Sequence, residues 1–181
     1  MNIVLIGPQG SGKSTQGKLI SGDFGMPYIS TGDMFREIMT GMDEFSVSIK
    51  KMMDEGALID DETTNKIVRQ HLERGKYYKG FVVDGYPRSV NQSMSAPFVL
   101  DIILHIRVPE STSIERLLKR GRWDDNEVNI RKRLSLYNQE TAPIIEYWRK
   151  HDKVVDIDGV GGVNEIHQLI HEKITNLING N

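Results

Sequence analysis

The sequence contains no cysteine, which excludes disulfides and thiolate metal sites, structural zinc among them. It also lacks a long apolar run. Ile3-Val4-Leu5-Ile6 is too short for a signal-peptide core, and no later stretch approaches membrane-spanning length, so a cytoplasmic protein that engages no membrane is expected. Neither sign of charge dominates: 23 Lys and Arg stand against 25 Asp and Glu, for a net charge of -2. That balance argues against a general nucleic-acid binder, whose footprint is basic, while leaving room for a local arginine cluster that grips a small phosphate. Repeats and low-complexity tracts are missing too. What is present is an ordinary globular mixture, 38% hydrophobic and 27% charged, and 181 residues suit one domain, expected to be a monomer.

Short apolar runs alternate with longer amphipathic stretches, the pattern of an α/β protein with a parallel sheet. Strands are predicted at Asn2–Ile6, Tyr28–Ser30, Gly80–Asp84, Asp101–Arg107 and Lys153–Ile157. The first, third and fourth are rich in Val, Ile and Leu, as strands covered on both faces should be. Helices are predicted to begin near Lys13, Thr31, Ser46, Asp61, Ser111 and Asn126, with a last one over Val163–Ile178. That last helix is expected to pack Ile166, Leu169, Ile170, Ile174, Leu177 and Ile178 on the sheet. His167 and His171 lie four apart on it. With no third ligand in view, a solvated face is expected there rather than a metal pair. Residues 30–59 hold two helical segments, more than a plain crossover needs, and are expected to form a small inserted subdomain.

Gly7-Pro8-Gln9-Gly10-Ser11-Gly12-Lys13-Ser14 matches the phosphate-binding P-loop at every fixed position, between a strand ending at Ile6 and a helix starting at Lys13. Glycines let the backbone bend around an anion, so that successive N–H groups point at a nucleotide β-phosphate. Gly10, Ser11, Gly12 and Thr15 belong to that cradle. Lys13 brings a point charge toward the β- and γ-phosphates, and Ser14 a hydroxyl ligand for Mg²⁺. A glycine turn that only joined strand to helix would need neither. The loop implies a nucleotide but not a reaction.

The run Gly80-Phe81-Val82-Val83-Asp84-Gly85-Tyr86-Pro87-Arg88 narrows the choice. Asp84 ends an apolar parallel strand, where open α/β sheets bind ligands, so it can orient Mg²⁺ or its water shell. Gly85 is expected to allow close approach of a ligand, and Pro87 to stiffen the turn that aims Arg88.

These residues resemble the adenylate kinases, nucleoside monophosphate kinases of the P-loop class. Phe81-Val82-Val83-Asp84-Gly85-Tyr86-Pro87-Arg88 is similar to that family's signature, with Tyr86 where phenylalanine is usual. Ile29 to Arg36 resembles its acceptor-binding segment. Gly121 to Asn126, continued by Ile130 to Leu134, resembles its arginine-rich lid region. The landmarks run in order from residue 7 to about 148. The resemblance implies a P-loop NTPase fold with a five-stranded parallel sheet, helices on both faces and a helical AMP-binding insertion at 30–59. It implies reversible transfer of the ATP γ-phosphate to AMP, with Mg²⁺ carried on the ATP and no zinc.

It also assigns roles. Thr31 and Arg36 fall to the base and phosphate sides of AMP, and Ala57, Leu58 and Ile59 line its adenine through backbone groups. Gly85, Tyr86, Pro87 and Arg88 form the turn whose arginine grips the AMP phosphate, and Gln92 hydrogen-bonds the adenine edge. Arg116 and Arg120 lie on the ATP side, Arg122 and Arg133 clasp the phosphates in transit, and Gly161 touches the donor adenine. Planar guanidiniums suit this work, because phosphoryl transfer spreads charge over three equatorial oxygens. Asp124 or Asp125 is expected to cap the next helix and to anchor arginines. UMP/CMP kinases usually carry a smaller residue where Thr31 stands and asparagine where Gln92 stands, so this pair favours adenine.

Two departures qualify the resemblance. Only Gly121 separates Arg120 from Arg122, so the lid, residues 120–126, is very short, which puts the exclusion of water in question. The segment from Ser89 to Leu100 is clipped by roughly a helix and its loop. A pyrimidine monophosphate kinase and a nucleotide-binding regulator without turnover remain open as alternatives.

Overall fold

Alternation along the strands builds the molecule. In the computed structural model, which describes residues 1–75 and 77–180, the chain runs β1 (Asn2–Ile6), α1 (Lys13–Phe24), β2 (Tyr28–Ser30), α2 (Thr31–Ile38), α3 (Glu44–Asp54), α4 (Asp61–Arg74) and β3 (Phe81–Asp84). It continues with α5 (Val90–Met94), β4 (Ile102–Arg107), α6 (Glu110–Arg120) and α7 (Glu127–Leu136). A π-helical turn (Tyr137–Thr141), α8 (Ala142–Arg149), β5 (Val154–Asp158) and α9 (Val163–Ile178) complete it. The described strands form one five-stranded parallel sheet in the order β2-β3-β1-β4-β5.

Successive side chains of a strand point to opposite faces, so the all-apolar strands feed two cores. Ile3, Leu5, Ile102, Leu104 and Ile106 point to one face, where Ile20 of α1 and Ile166, Ile170 and Ile174 of α9 cover them. Val4, Ile6, Val83 and Ile103 point to the other, under Met34 of α2, Val68 of α4 and Ile144 and Ile145 of α8. The helix layers on both faces are those implied by the family resemblance. Phe35, Ile49 and Ile59 form a small separate cluster, with Ile38, Met39, Met53 and Ile67 of α4 packed around them.

Several expectations need correction. On α9 only Ile166, Ile170 and Ile174 are buried, whereas Leu169, Leu177 and Ile178 are exposed, so the apolar stripe is narrower than its hydrophobic content suggested. The His167/His171 face is partly solvated: His171 is exposed with its ring stacked on Phe24, centroids 5.0 Å apart, while half-buried His167 has Nε2 2.7 Å from Asp23 Oδ2. Both partners belong to the C-terminal turn of α1, which packs beside α9. The cap of α7 is Asn126, whose side chain accepts the Asn129 N–H, and not Asp124 or Asp125. The clipped stretch after Arg88 still makes one short helix, α5, capped by Ser89.

Candidate active site

The parallel sheet brings β1, β2 and β3 to their C-terminal ends together. Asp84 closes β3 level with Leu5 on β1 and Ser30 on β2. From this edge the P-loop leads into α1, whose first residue is Lys13. The helix starts at Gly12 in the left-handed region (φ 97°), with no capping side chain and no acidic residue in its first turn. Ser30, Asp43, Asp60, Ser89 and Asn126 cap other helices. The positive N-terminus of α1 is thus left to an external anion. Gly10 (φ 85°) could carry no side chain, because a Cβ would fall 2.6 Å from the Ser113 carbonyl oxygen.

Lys13 is folded back on the loop, donating to the carbonyls of Gly7 at 2.7 Å and Pro8 at 2.8 Å. Burial lowers its pKa to about 8, with Asp84 opposing that shift and Arg88 and Arg120 adding to it. Ser14 Oγ donates to Asp84 Oδ2 at 2.5 Å, and the Tyr28 hydroxyl reaches the same oxygen at 2.9 Å. Burial raises the Tyr28 pKa, and the neighbouring Asp84 charge raises it further, so this phenol stays a donor. Two hard oxygen donors converging beside a phosphate cradle fit Mg²⁺, which takes few protein ligands and keeps water and phosphate for the rest.

A cavity of about 530 Å³ opens over this edge. Eight cationic side chains line it, Lys13, Lys18, Arg36, Arg88, Arg116, Arg120, Arg122 and Arg133, against two carboxylates, Asp84 and Asp124. In a molecule of net charge -2 this is a concentrated positive site. Some of the arginines are held by carboxylates. Arg120 forms a bidentate pair with Asp125 at 2.8 and 2.7 Å, Arg133 pairs with Asp124, and Arg36 pairs with Asp33. Burial alone would raise the Asp125 pKa, but bonding to Arg120 holds it below the usual carboxylate range. Arg116 bridges backbone instead, to Gly159 O at 3.0 Å, tying the loop after β5 to the P-loop side. Arg88 is half-buried, its Nε on the Gly85 carbonyl at 2.8 Å. Of these eight, Lys13, Lys18, Arg88, Arg116 and Arg122 have no carboxylate partner among the described residues.

At the far end of the cavity lie Gly56, Ala57, Leu58 and Ile59 together with Gln92. Gln92 is almost fully buried, accepting the Arg88 N–H and donating to Asp61, both at 2.7 Å. Gly10, Gly12, Ser14, Thr15, Gly85 and Pro87 also stand on the wall. Ser11, Thr31, Tyr86 and Gly161 do not. The Thr31 hydroxyl is buried against the Asp84 carbonyl at 3.4 Å, and Gly161 lies on the exposed loop before α9. Tyr86 is buried in the sheet core, and its extra hydroxyl donates to Asn65 Oδ1 at 2.5 Å. Gly85 has φ 81°, and a Cβ there would come 2.7 Å from Thr31 Oγ1, so its small size serves the packing of Thr31 as well as the wall.

Other wall residues were not expected. The π-helical turn widens the helix between α7 and α8, placing Tyr137 and Thr141 at the cavity, and Thr141 Oγ1 donates to the Arg88 carbonyl at 2.9 Å. No periodicity announces such a turn. Tyr28 and Asp61 escaped because each acts on a residue distant in sequence, Asp84 and Gln92. The register of β2 beside β3 was the signal that could have pointed to Tyr28.

Comparison with known proteins gives the family. The family model described as adenylate kinase matches residues 5–153. A protein named adenylate kinase from Mycobacteroides abscessus is 42% identical over 173 residues, covering 92% of this chain and 94% of its own. Those so named from Corynebacterium urealyticum and Nocardia farcinica are 39% and 40% identical, each across 93% of this chain and 96% of its own. The matched residues take in the glycine-rich loop, the carboxylate at the end of β3 and the ring of arginines, the kinship spans nearly the whole chain, and the chain belongs to the adenylate kinase family.

Proposed function

We infer that this cavity catalyses reversible transfer of the ATP γ-phosphate to AMP, giving two ADP. The observation that carries the reading is the row of cations without carboxylate partners, Lys13, Lys18, Arg88, Arg116 and Arg122, running from the uncapped end of α1 to the Ala57–Ile59 wall. Cationic side chains converging on one cavity repel one another unless anions lie between them, so such a row fits a ligand with several phosphates.

ATP lies with its β-phosphate in the amides of Gly10 to Thr15. Lys13 leaves the Gly7 and Pro8 carbonyls for the β- and γ-phosphates, exchanging weak acceptors for charged ones. Arg116 and Arg120 border the donor, and the loop carrying Gly159 and Gly161 sits beside its base. Ser14 and Asp84 would hold Mg²⁺, which when bound would supply positive charge to the phosphate oxygens. Arg88, with Arg36, fixes the AMP phosphate, while Gln92 and the backbone of Ala57–Ile59 meet its base. An AMP phosphate oxygen attacks the γ-phosphorus, the bond to the β–γ bridging oxygen breaks, and ADP leaves. Arg122 and Arg133 stabilise the charge on the transferring group. Residues 30–59 act as the acceptor subdomain and residues 120–126 as a very short lid, which Asp125 braces through Arg120 and the Arg122 N–H.

Chromatography of a reaction of purified protein with ATP, Mg²⁺ and AMP tests this. Two ADP should form for each ATP consumed, and ADP alone should yield ATP and AMP. Inorganic phosphate appearing at a rate independent of AMP contradicts it.

A further inference from the structure

A glutamine amide is nearly symmetrical in shape but not in hydrogen bonding, and turning it over exchanges a donor for an acceptor. Left free, it would accept bases of either polarity. In this protein both ends are held. Gln92 Oε1 takes the Arg88 N–H, which can only donate, and Gln92 Nε2 gives to Asp61 Oδ1, which as a carboxylate oxygen can only accept. A turned amide would face donor with donor and acceptor with acceptor, in a buried position.

Asp61 is itself fixed. It opens α4, and its second oxygen accepts the Ser89 hydroxyl at 2.8 Å, while Ser89 Oγ accepts the Gln92 N–H at 3.0 Å. The carboxylate, the cap of α5 and the amide thus form one closed set of bonds. Each end of the amide keeps one valence, a second hydrogen on Nε2 and a second lone pair on Oε1.

We propose that Asp61 is a positioning residue for acceptor choice, locking the Gln92 amide in the orientation that reads an adenine edge and refuses the reversed edge of a 6-oxopurine. The proposal rests on the reading in which Gln92 faces the acceptor base. Adenine presents an acceptor at N1 and a donor at its 6-amino group. Hypoxanthine presents N1–H and a 6-oxygen, the opposite pair, without the 2-amino bulk of guanine. IMP is therefore the probe that reports amide polarity apart from shape.

The experiment measures kcat/KM for AMP and for IMP at saturating ATP and Mg²⁺ in the wild type, Gln92→Ala, Asp61→Ala, Asp61→Asn and the double alanine variant. Asp61→Ala should lower the AMP:IMP ratio by about tenfold or more, mainly through the KM of AMP, with the KM of ATP unchanged. In the Gln92→Ala background the same substitution should change the ratio by less than about twofold, because Asp61 acts only through the amide. Asp61→Asn keeps the shape and the tie between helices, yet its own amide can turn together with Gln92. It should lower the ratio by about threefold or more, which preserves the test if the alanine variant fails to fold. An unchanged ratio in the Asp61 variants alongside a lowered one in Gln92→Ala overturns the proposal alone. An unchanged ratio in Gln92→Ala overturns the reading of Gln92 beneath it.

Discussion

At the scale of single residues, Lys13 is the group whose state matters most. Burial lowers its pKa to about 8, so above that pH the free enzyme loses the proton proposed to draw in phosphate. Because kcat/KM reports the free enzyme, its value for ATP should fall above about pH 8. Bound phosphates raise the pKa again, so kcat should hold to higher pH. A pH–rate series on both parameters checks this, and parallel declines would remove Lys13 as the cause. Lys13→Met should lower kcat by about 10²–10³-fold while the fold survives, as judged by circular dichroism and turnover. Lys13 was legible because the P-loop is a local pattern, written in consecutive residues. Tyr28 and Asp61 were not, because their work depends on which distant residue the fold sets beside them.

At the scale of elements, α7 carries more than its arginine. Lys132 Nζ donates to the Glu55 carbonyl at 2.6 Å and Asn129 Nδ2 to the Asp54 carbonyl at 3.1 Å, so α7 receives the unsatisfied C-terminal end of α3. This contact offers one way to cover the site despite the short turn between α6 and α7. Exposed bonds of this kind contribute about 0.5–1.5 kcal/mol, so Lys132→Ala should raise the KM of AMP by about two- to tenfold and leave that of ATP unchanged. Steady-state kinetics with each substrate varied in turn decides it, and equal effects on both would argue against an acceptor-side contact. The strands were legible to within a residue, since runs of Val, Ile and Leu bounded by turns leave little choice. Helix faces were read less well. On α9 spacing alone gave equal weight to Leu169 and Ile170, but only the sheet and α1 decide which of them is covered. The turn at Tyr137–Thr141 was hidden altogether, because one wider turn inside a continuous helix leaves the composition unchanged.

For the whole molecule, the parallel order β2-β3-β1-β4-β5 puts the P-loop and Asp84 at the C-terminal ends of adjacent strands. The charge gathered there should make stability depend on ligand. A ligand at a hundred times its Kd stabilises by about 2.7 kcal/mol, so ATP with Mg²⁺ should raise the Tm by several degrees in a thermal melt, and Arg88→Ala should lose most of any added shift from AMP. A core change acts elsewhere: Ile103→Ala, in the centre of the sheet, should cost about 2–5 kcal/mol in chemical denaturation without altering the KM of either substrate. Neither stability nor fold selects the acceptor, because a P-loop and an arginine ring serve every monophosphate kinase alike. On the proposed reading, the wall of Ala57–Ile59 and Gln92 separates adenine from the other bases. The most direct measurement is kcat/KM of the purified protein for AMP, CMP, UMP and GMP at saturating ATP and Mg²⁺. AMP should exceed each of the others by at least about a hundredfold, since a buried polar group left unpaired discriminates more strongly than shape. Equal or better use of CMP or UMP would contradict the adenylate reading while leaving a monophosphate kinase in place.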